Sequence, residues 1–166
     1  MAAGGLPDNF DDLLLLIGRL TYSWTNTESL LIHLIAGLAR VDKETAVVIF
    51  LTLNTTRARV DLVERLAKLD RVPREQRDLV LELTGEFMRH SALRNRYNHS
   101  IYAFDVENRK ARTILMRIAD RKDTIKVGLA TDLDDSALKD MEAALAELAD
   151  LNQRLWSLIR ESGFPL

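Results

Sequence analysis

The stretch ALRNRYNHSIY, residues 92–102, decides how this chain is read. The residues before it are good helix formers, and a strand-like segment follows. At the junction Arg94, Asn95, Arg96, Asn98 and His99 crowd into six positions. Such a run is either the polar end of a helix facing water or a site. There is a commonplace account of each part. Arg and His favour the negative end of the helix dipole, and Asn assists termination.

Downstream, SIYAF (100–104), RTILMRI (112–118) and TIKVGL (124–129) are short and rich in β-branched and aromatic residues. VENRK (106–110) and DRKD (120–123) between them are turn-like, which predicts a small antiparallel meander over about 100–130. Residues 132–163 then form a long amphipathic helix with an acid-rich start and Gly163 at its end. Its apolar stripe is Leu138, Met141, Leu145, Leu148, Leu155 and Ile159.

Upstream, a helix starts near Asp8, capped by Asp8 or Asn9, whose side-chain oxygens can accept from the free N–H groups of a first turn. Leu13, Ile17, Leu20, Trp24, Leu31, Ile35 and Leu38 recur in steps of three and four, so it runs to about Arg40. At about 1.5 Å per residue that is roughly 45 Å. Asp42 caps a short helix through ETAVVIFLTL (44–53), and Asn54 or Thr55 restarts the chain as TRARVDLVERLAKL (56–69). Pro73 breaks LDRVP (69–73) and opens a fourth helix over about 73–98. The expected fold is mainly α: an antiparallel four-helix bundle with a short extra helix and a small antiparallel β-meander inserted before the last helix, in one domain over 1–166.

Bulk composition narrows the function. The chain has 166 residues, 47% hydrophobic and 29% charged, with a net charge of −2. That is globular composition, and any nucleic-acid contact must come from a local patch. With no cysteine, thiol catalysis, disulfides and zinc–thiolate sites are excluded, and a cytoplasmic location fits. MAAGGLPDNF (1–10) has neither the basic nor the apolar region of a signal peptide, and the apolar cluster LLLLI (13–17) is too short to span a bilayer.

Two helix faces carry holes. Between Trp24 and Leu31 the expected inward residue is Glu28. It either turns to a solvated edge or faces a cation inside the bundle, because an unpaired buried carboxylate is destabilising. On the fourth helix, Val80, Thr84 and Phe87 begin an inward face that continues through Ser91, Asn95 and Asn98. Asn95 and His99 are four apart and share a face. Arg94 lies about 140° from His99 around the helix, with a side chain long enough to swing toward a neighbour.

The segment RNRYNH (94–99) resembles the Arg-x4–6-His motif of the HEPN superfamily (higher eukaryotes and prokaryotes nucleotide-binding domains). The layout of helices, with the motif near the end of a later core helix, is similar too. Many such proteins are metal-independent endoribonucleases, often toxins or antiviral effectors; others are catalytically silent modules that bind a partner protein or nucleotide. The resemblance implies catalytic roles for Arg94, Asn95 and His99, a homodimer that brings two motifs together, an RNA substrate and, for a toxin, an antitoxin partner. Glu28 lies outside the motif and is assigned from its own position as a support, accepting a hydrogen bond from the Arg94–His99 cluster. Asn98 is the second support. The β-meander departs from the minimal four-helix plan.

The chemistry suits these residues. RNA cleaves itself when its 2′-OH is deprotonated and attacks the adjacent phosphate. A histidine, with an ordinary pKa of about 6.5, can move that proton at neutral pH. Arg94 offers a planar charged fork for the phosphate oxygens. No cofactor or metal is expected, since His33 and His90 lie on different helices without metal-ligand spacing. Arg109, Lys110, Arg112, Arg117, Arg121, Lys122 and Lys126 outnumber Asp105, Glu107, Asp120 and Asp123. This excess can track an RNA backbone or be a solvated hairpin of mixed charge. A helical dimer whose RNRYNH is only a helix end is the remaining reading.

Overall fold

The computed structural model describes residues 10–105, 110–120 and 122–166, with the side chains of 104, 110, 116–120 and 127 set aside. The expected caps Asp8 and Asn9 lie outside the described residues. In order, the elements are α1 (Phe10–Ser29), α2 (Leu31–Ala39), α3 (Lys43–Thr52), α4 (Thr56–Ala67), α5 (Arg74–Arg89), α6 (Ser91–Asn98), β1 (Ser100–Asp105), β2 (Lys110–Asp120), β3 (Ile125–Leu133) and α7 (Asp135–Glu161). The chain is mainly helical with one small antiparallel sheet. Among the described residues no helix is long and apolar enough to cross a membrane. Two compact units emerge. One takes its described residues from Met1–Tyr22 and Ser91–Leu145, the other from Ser23–His90 and Ala146–Leu166.

In the second, all-helical unit, the first helix does not run unbroken to Arg40. It stops at Ser29 and resumes at Leu31. Two hydroxyls of SWTNTES (23–29) bond back to carbonyls just before the break. Thr27 Oγ1 donates to the Ser23 carbonyl at 2.8 Å and Ser29 Oγ to the Asn26 carbonyl at 2.7 Å. Hydroxyls that bond back onto the preceding turn compete with the backbone ladder and bend helices. The Leu30 N–H then makes a tight bond to the Thr27 carbonyl, 3.2 Å. Beyond it, α2 buries Leu31, Leu34, Ile35, Ala36 and Leu38 and packs against α3 and α4, while α4 packs against α5.

The local start signals act as expected. The Asp42 carboxylate accepts from the Thr45 N–H at 2.7 Å, and that bond holds its pKa below the ordinary value. At the next restart Thr55 is the cap, accepting from the Ala58 N–H at 3.1 Å, and Pro73 precedes α5. Gly163 ends α7 with φ of +63°, which lets the Phe164 N–H reach the Ile159 carbonyl at 3.0 Å. Inside the unit Trp24 stacks on Phe87, ring centroids 4.1 Å apart.

Glu28 is buried in this unit, and its cation is Arg59 of α4. Arg59 Nη1 donates to Glu28 Oε1 at 2.9 Å, with the two side chains 18% and 9% exposed respectively. The sequence named the Arg94–His99 cluster for this role; the structure fills it with Arg59. Arg59 Nε also donates to the carbonyls of Phe50 and Leu53, at 3.1 and 3.0 Å, and its guanidinium lies 4.0 Å over the Phe50 ring.

In the other unit the sheet order is β1-β2-β3 and both pairings are antiparallel. Tyr102, Thr113 and Thr131 share one face, on which Ala111 and Thr113 are buried. The other face carries exposed Ile101 and the Arg112–Asp132 ion pair at 2.9 Å. Between Leu115 and Ile118 β2 advances three residues while β3 advances two, from Leu129 to Val127. That extra residue is a bulge. Gly128, with φ of +75°, sits on β3 within this irregularity. α6 packs on β2.

Arg59→Ala leaves Glu28 buried without its cation, so urea denaturation should show a loss of about 3–5 kcal/mol. Replacing both partners, Glu28→Leu with Arg59→Met, should recover most of it. A single-variant loss below about 1 kcal/mol, the value of an exposed pair, would contradict the assignment.

Candidate functional site

The helix expected over 73–98 is interrupted at His90, whose N–H turns onto the Phe87 carbonyl at 3.2 Å. The His90 side chain is buried, with Nε2 3.4 Å from Glu147 Oε2. α6 starts at Ser91. The inward steps through Ser91, Asn95 and Asn98 do not continue: Asn95 and Asn98 are exposed, and the buried side chain of α6 is Tyr97. The buried positions recur instead at Val80, Leu83, Phe87, His90 and Tyr97, with half-buried Arg94 between the last two, so the steps of three and four follow a different stripe from the one expected.

The helix end itself is held. The His99 N–H donates to the Asn95 carbonyl at 3.1 Å. The Ser100 hydroxyl donates to the Arg96 carbonyl, and the Tyr102 hydroxyl donates to the Tyr97 carbonyl at 2.7 Å. These three bonds satisfy carbonyls that a helix C-terminus would otherwise leave to water. The first two residues of the RNRYNH motif touch: Arg94 Nη1 donates to Asn95 Oδ1 at 2.7 Å. Arg94 is half-buried and His99 is exposed. Asn98 meets α1 at Thr21. Thr21 Oγ1 lies 3.0 Å from the Ile17 carbonyl and 3.1 Å from the Asn98 amide. A hydroxyl has one proton to give. With that proton on Ile17, the Asn98 NH2 end, interchangeable with its oxygen end, donates to Thr21.

No family model, curated protein or solved structure matches this chain.

Residues named from the sequence divide into two sets. Arg94, Asn95, Asn98 and His99 lie together on α6 and its closing turn, in the sheet-bearing unit. Glu28 belongs to the ion pair with Arg59 in the helical unit. His33 is buried, with Nδ1 2.7 Å from the Pro165 carbonyl, so that nitrogen carries the proton. Among the described residues no three His, Asp or Glu side chains gather as a metal would require. Of the basic run, Arg109 and Arg121 lie outside the described residues, as does Glu107. Lys122 and Lys126 are exposed, and Arg112 is committed to Asp132.

Sequence reading missed the two tyrosines that secure the junction. Tyr97 is the fourth residue of the motif, and its signal is the run of steps of three and four from Val80, Leu83 and Phe87 through His90 and Arg94. Burial pushes its phenol up from the ordinary value. Burial also raises Tyr102, to about 12, and the neighbouring Tyr97 adds to it. The folded state thus keeps the Tyr102 proton to higher pH than an unfolded chain. Its stabilising effect is full below the ordinary value of 10.0 and lost as pH rises through about 12. Stability measured by urea denaturation should therefore fall across that alkaline window. Tyr102→Phe should remove the highest step of the ultraviolet phenolate titration and flatten the fall. A phenolate step at the ordinary value for Tyr102 would refute its burial against α6.

Proposed function

We propose that α6 and its closing turn are the active site of a HEPN-like, metal-independent endoribonuclease. The observation that supports this is the bond from Arg94 Nη1 to Asn95 Oδ1, 2.7 Å. By helix geometry Arg94 projects about 140° away from His99. The bond turns its guanidinium toward Asn95, which shares a face with His99. In this reading the helical spacing carries on to His99, which puts the cation and the proton carrier on one side of the helix end.

In the reaction His99 takes the proton from a ribose 2′-OH, and the 2′-oxygen attacks the adjacent phosphorus. The bond from phosphorus to the 5′-oxygen breaks, and that oxygen leaves as a hydroxyl after gaining a proton. Arg94 neutralises the charge that builds on the non-bridging oxygens, a contribution that is large where donors are already aimed. Asn95 holds Arg94 in place. One imidazole cannot accept a proton and donate another in the same step. A twofold dimer with both α6 ends at the axis supplies a second His99 as the acid. The exposure of Asn95, Asn98 and His99 suits groups that must meet a substrate and a second copy. A toxin or defence role, with an antitoxin as partner, follows from the same reading.

The purified protein should cut single-stranded RNA in the presence of EDTA, leave 2′,3′-cyclic phosphate ends and spare DNA. His99→Ala should slow cleavage by roughly 10²–10⁴, the range for a lost general acid–base. Cleavage that persists in His99→Ala, or that requires Mg²⁺, would defeat the mechanism. An absence of cleavage across varied RNAs would assign α6 to a silent module that binds a partner protein or nucleotide. Sedimentation at micromolar concentration should give a dimer; a monomer would remove the second histidine and the mechanism with it.

A further inference from the structure

Arg40 closes α2 in the left-handed region, with φ of +59°. Glycine or asparagine usually stands there, because a Cβ crowds the following carbonyl. The backbone needs the conformation: the Val41 N–H reaches the Ala36 carbonyl at 3.0 Å and the Arg40 N–H reaches Gly37 at 3.3 Å. It does not need an arginine. The side chain points to the reason. Arg40 lines an open pocket of about 300 Å³ with Arg71, Gln76, Ser162, Val72 and Phe164. The whole pocket lies within the helical unit.

The polar side chains that line this pocket are rich in donors. Arg71 Nη2 donates to the Leu38 carbonyl at 2.8 Å, which fixes its guanidinium and leaves the other N–H groups. Gln76 Nε2 donates to Ser162 Oγ at 2.7 Å, so the Ser162 hydroxyl keeps its own proton to give. Among the described residues no carboxylate lines the pocket, and neither arginine has an ion-pair partner. Both arginines are exposed and line the same pocket, so an anion entering it meets two cations. The apolar wall is the Phe164 ring, seated so close over Gly37 that a Cβ there would come within 2.1 Å of it.

We propose that this pocket binds a small phosphate monoester, its phosphate between Arg40 and Arg71 and its organic part against Phe164. A phosphate presents several acceptor oxygens to donors arriving from different directions, which two guanidiniums and a hydroxyl match. The volume leaves room beyond the phosphate for a flat apolar group.

The test uses inorganic phosphate, phenyl phosphate and phenol as probes, read by calorimetry and by thermal shift on the full chain. Phenyl phosphate should bind more tightly than inorganic phosphate, and phenol should not bind. Arg40→Gly is the informative variant, because it relieves the left-handed strain while removing the cation. Without ligand it should melt above wild type, yet its affinity for phenyl phosphate should fall by at least about tenfold. Arg71→Gln should weaken binding similarly. The proposal is overturned if wild type binds neither phosphate at millimolar concentration, if phenol binds as well as phenyl phosphate, or if Arg40→Gly keeps wild-type affinity.

Discussion

The ion pair between Glu28 and Arg59 sets a condition that the helical unit has to meet. A carboxylate only 9% exposed on α1 is tolerated there because a cation is delivered to it from α4. Arginine is suited to the task in a way lysine is not, since its fork has several fixed donors and a flat face. One edge serves Glu28, Nε serves two carbonyls at the end of α3, and the face covers Phe50. Three helices are thereby referred to a single side chain. The stacked Trp24–Phe87 rings and the apolar residues of α2 are buried in the same unit.

Two short interruptions divide the helices. At Leu30 the chain makes a tight turn beside two hydroxyls that bond back to carbonyls. At His90 a tight turn separates α5 from α6. Within α6, Tyr97 is buried and Asn95, Asn98 and the following His99 are exposed. The tyrosine and serine hydroxyls at the end of α6 bond the Tyr97 and Arg96 carbonyls and hold that turn.

The two left-handed helix ends make a useful contrast. Gly163 ends α7 as the backbone prefers, with no Cβ to accommodate. Arg40 ends α2 in the same conformation while carrying a long charged side chain. Local preference is overridden only at the second, and that is where the cationic pocket opens. Departures of this kind tend to mark places where something other than folding is being served.

The sequence by itself determined what depends on near neighbours. Asp42, Thr55, Pro73 and Gly163 act over three or four residues, and the alternation in the β-meander is local as well, so these elements were legible. It also marked Glu28 as inward, because periodicity tells which face a residue occupies. Only the tertiary structure decided what stands opposite. Arg59 is 31 residues from Glu28, Asn98 is 77 from Thr21, and Gln76 is 86 from Ser162. The exposure of Asn95, Asn98 and His99 depended on which of two stripes is buried, and that is the one through Leu83, Phe87, His90 and Tyr97. Pairings across such separations are chosen by how whole helices pack, and a pattern read along one chain carries the face of a residue but not the identity of its partner.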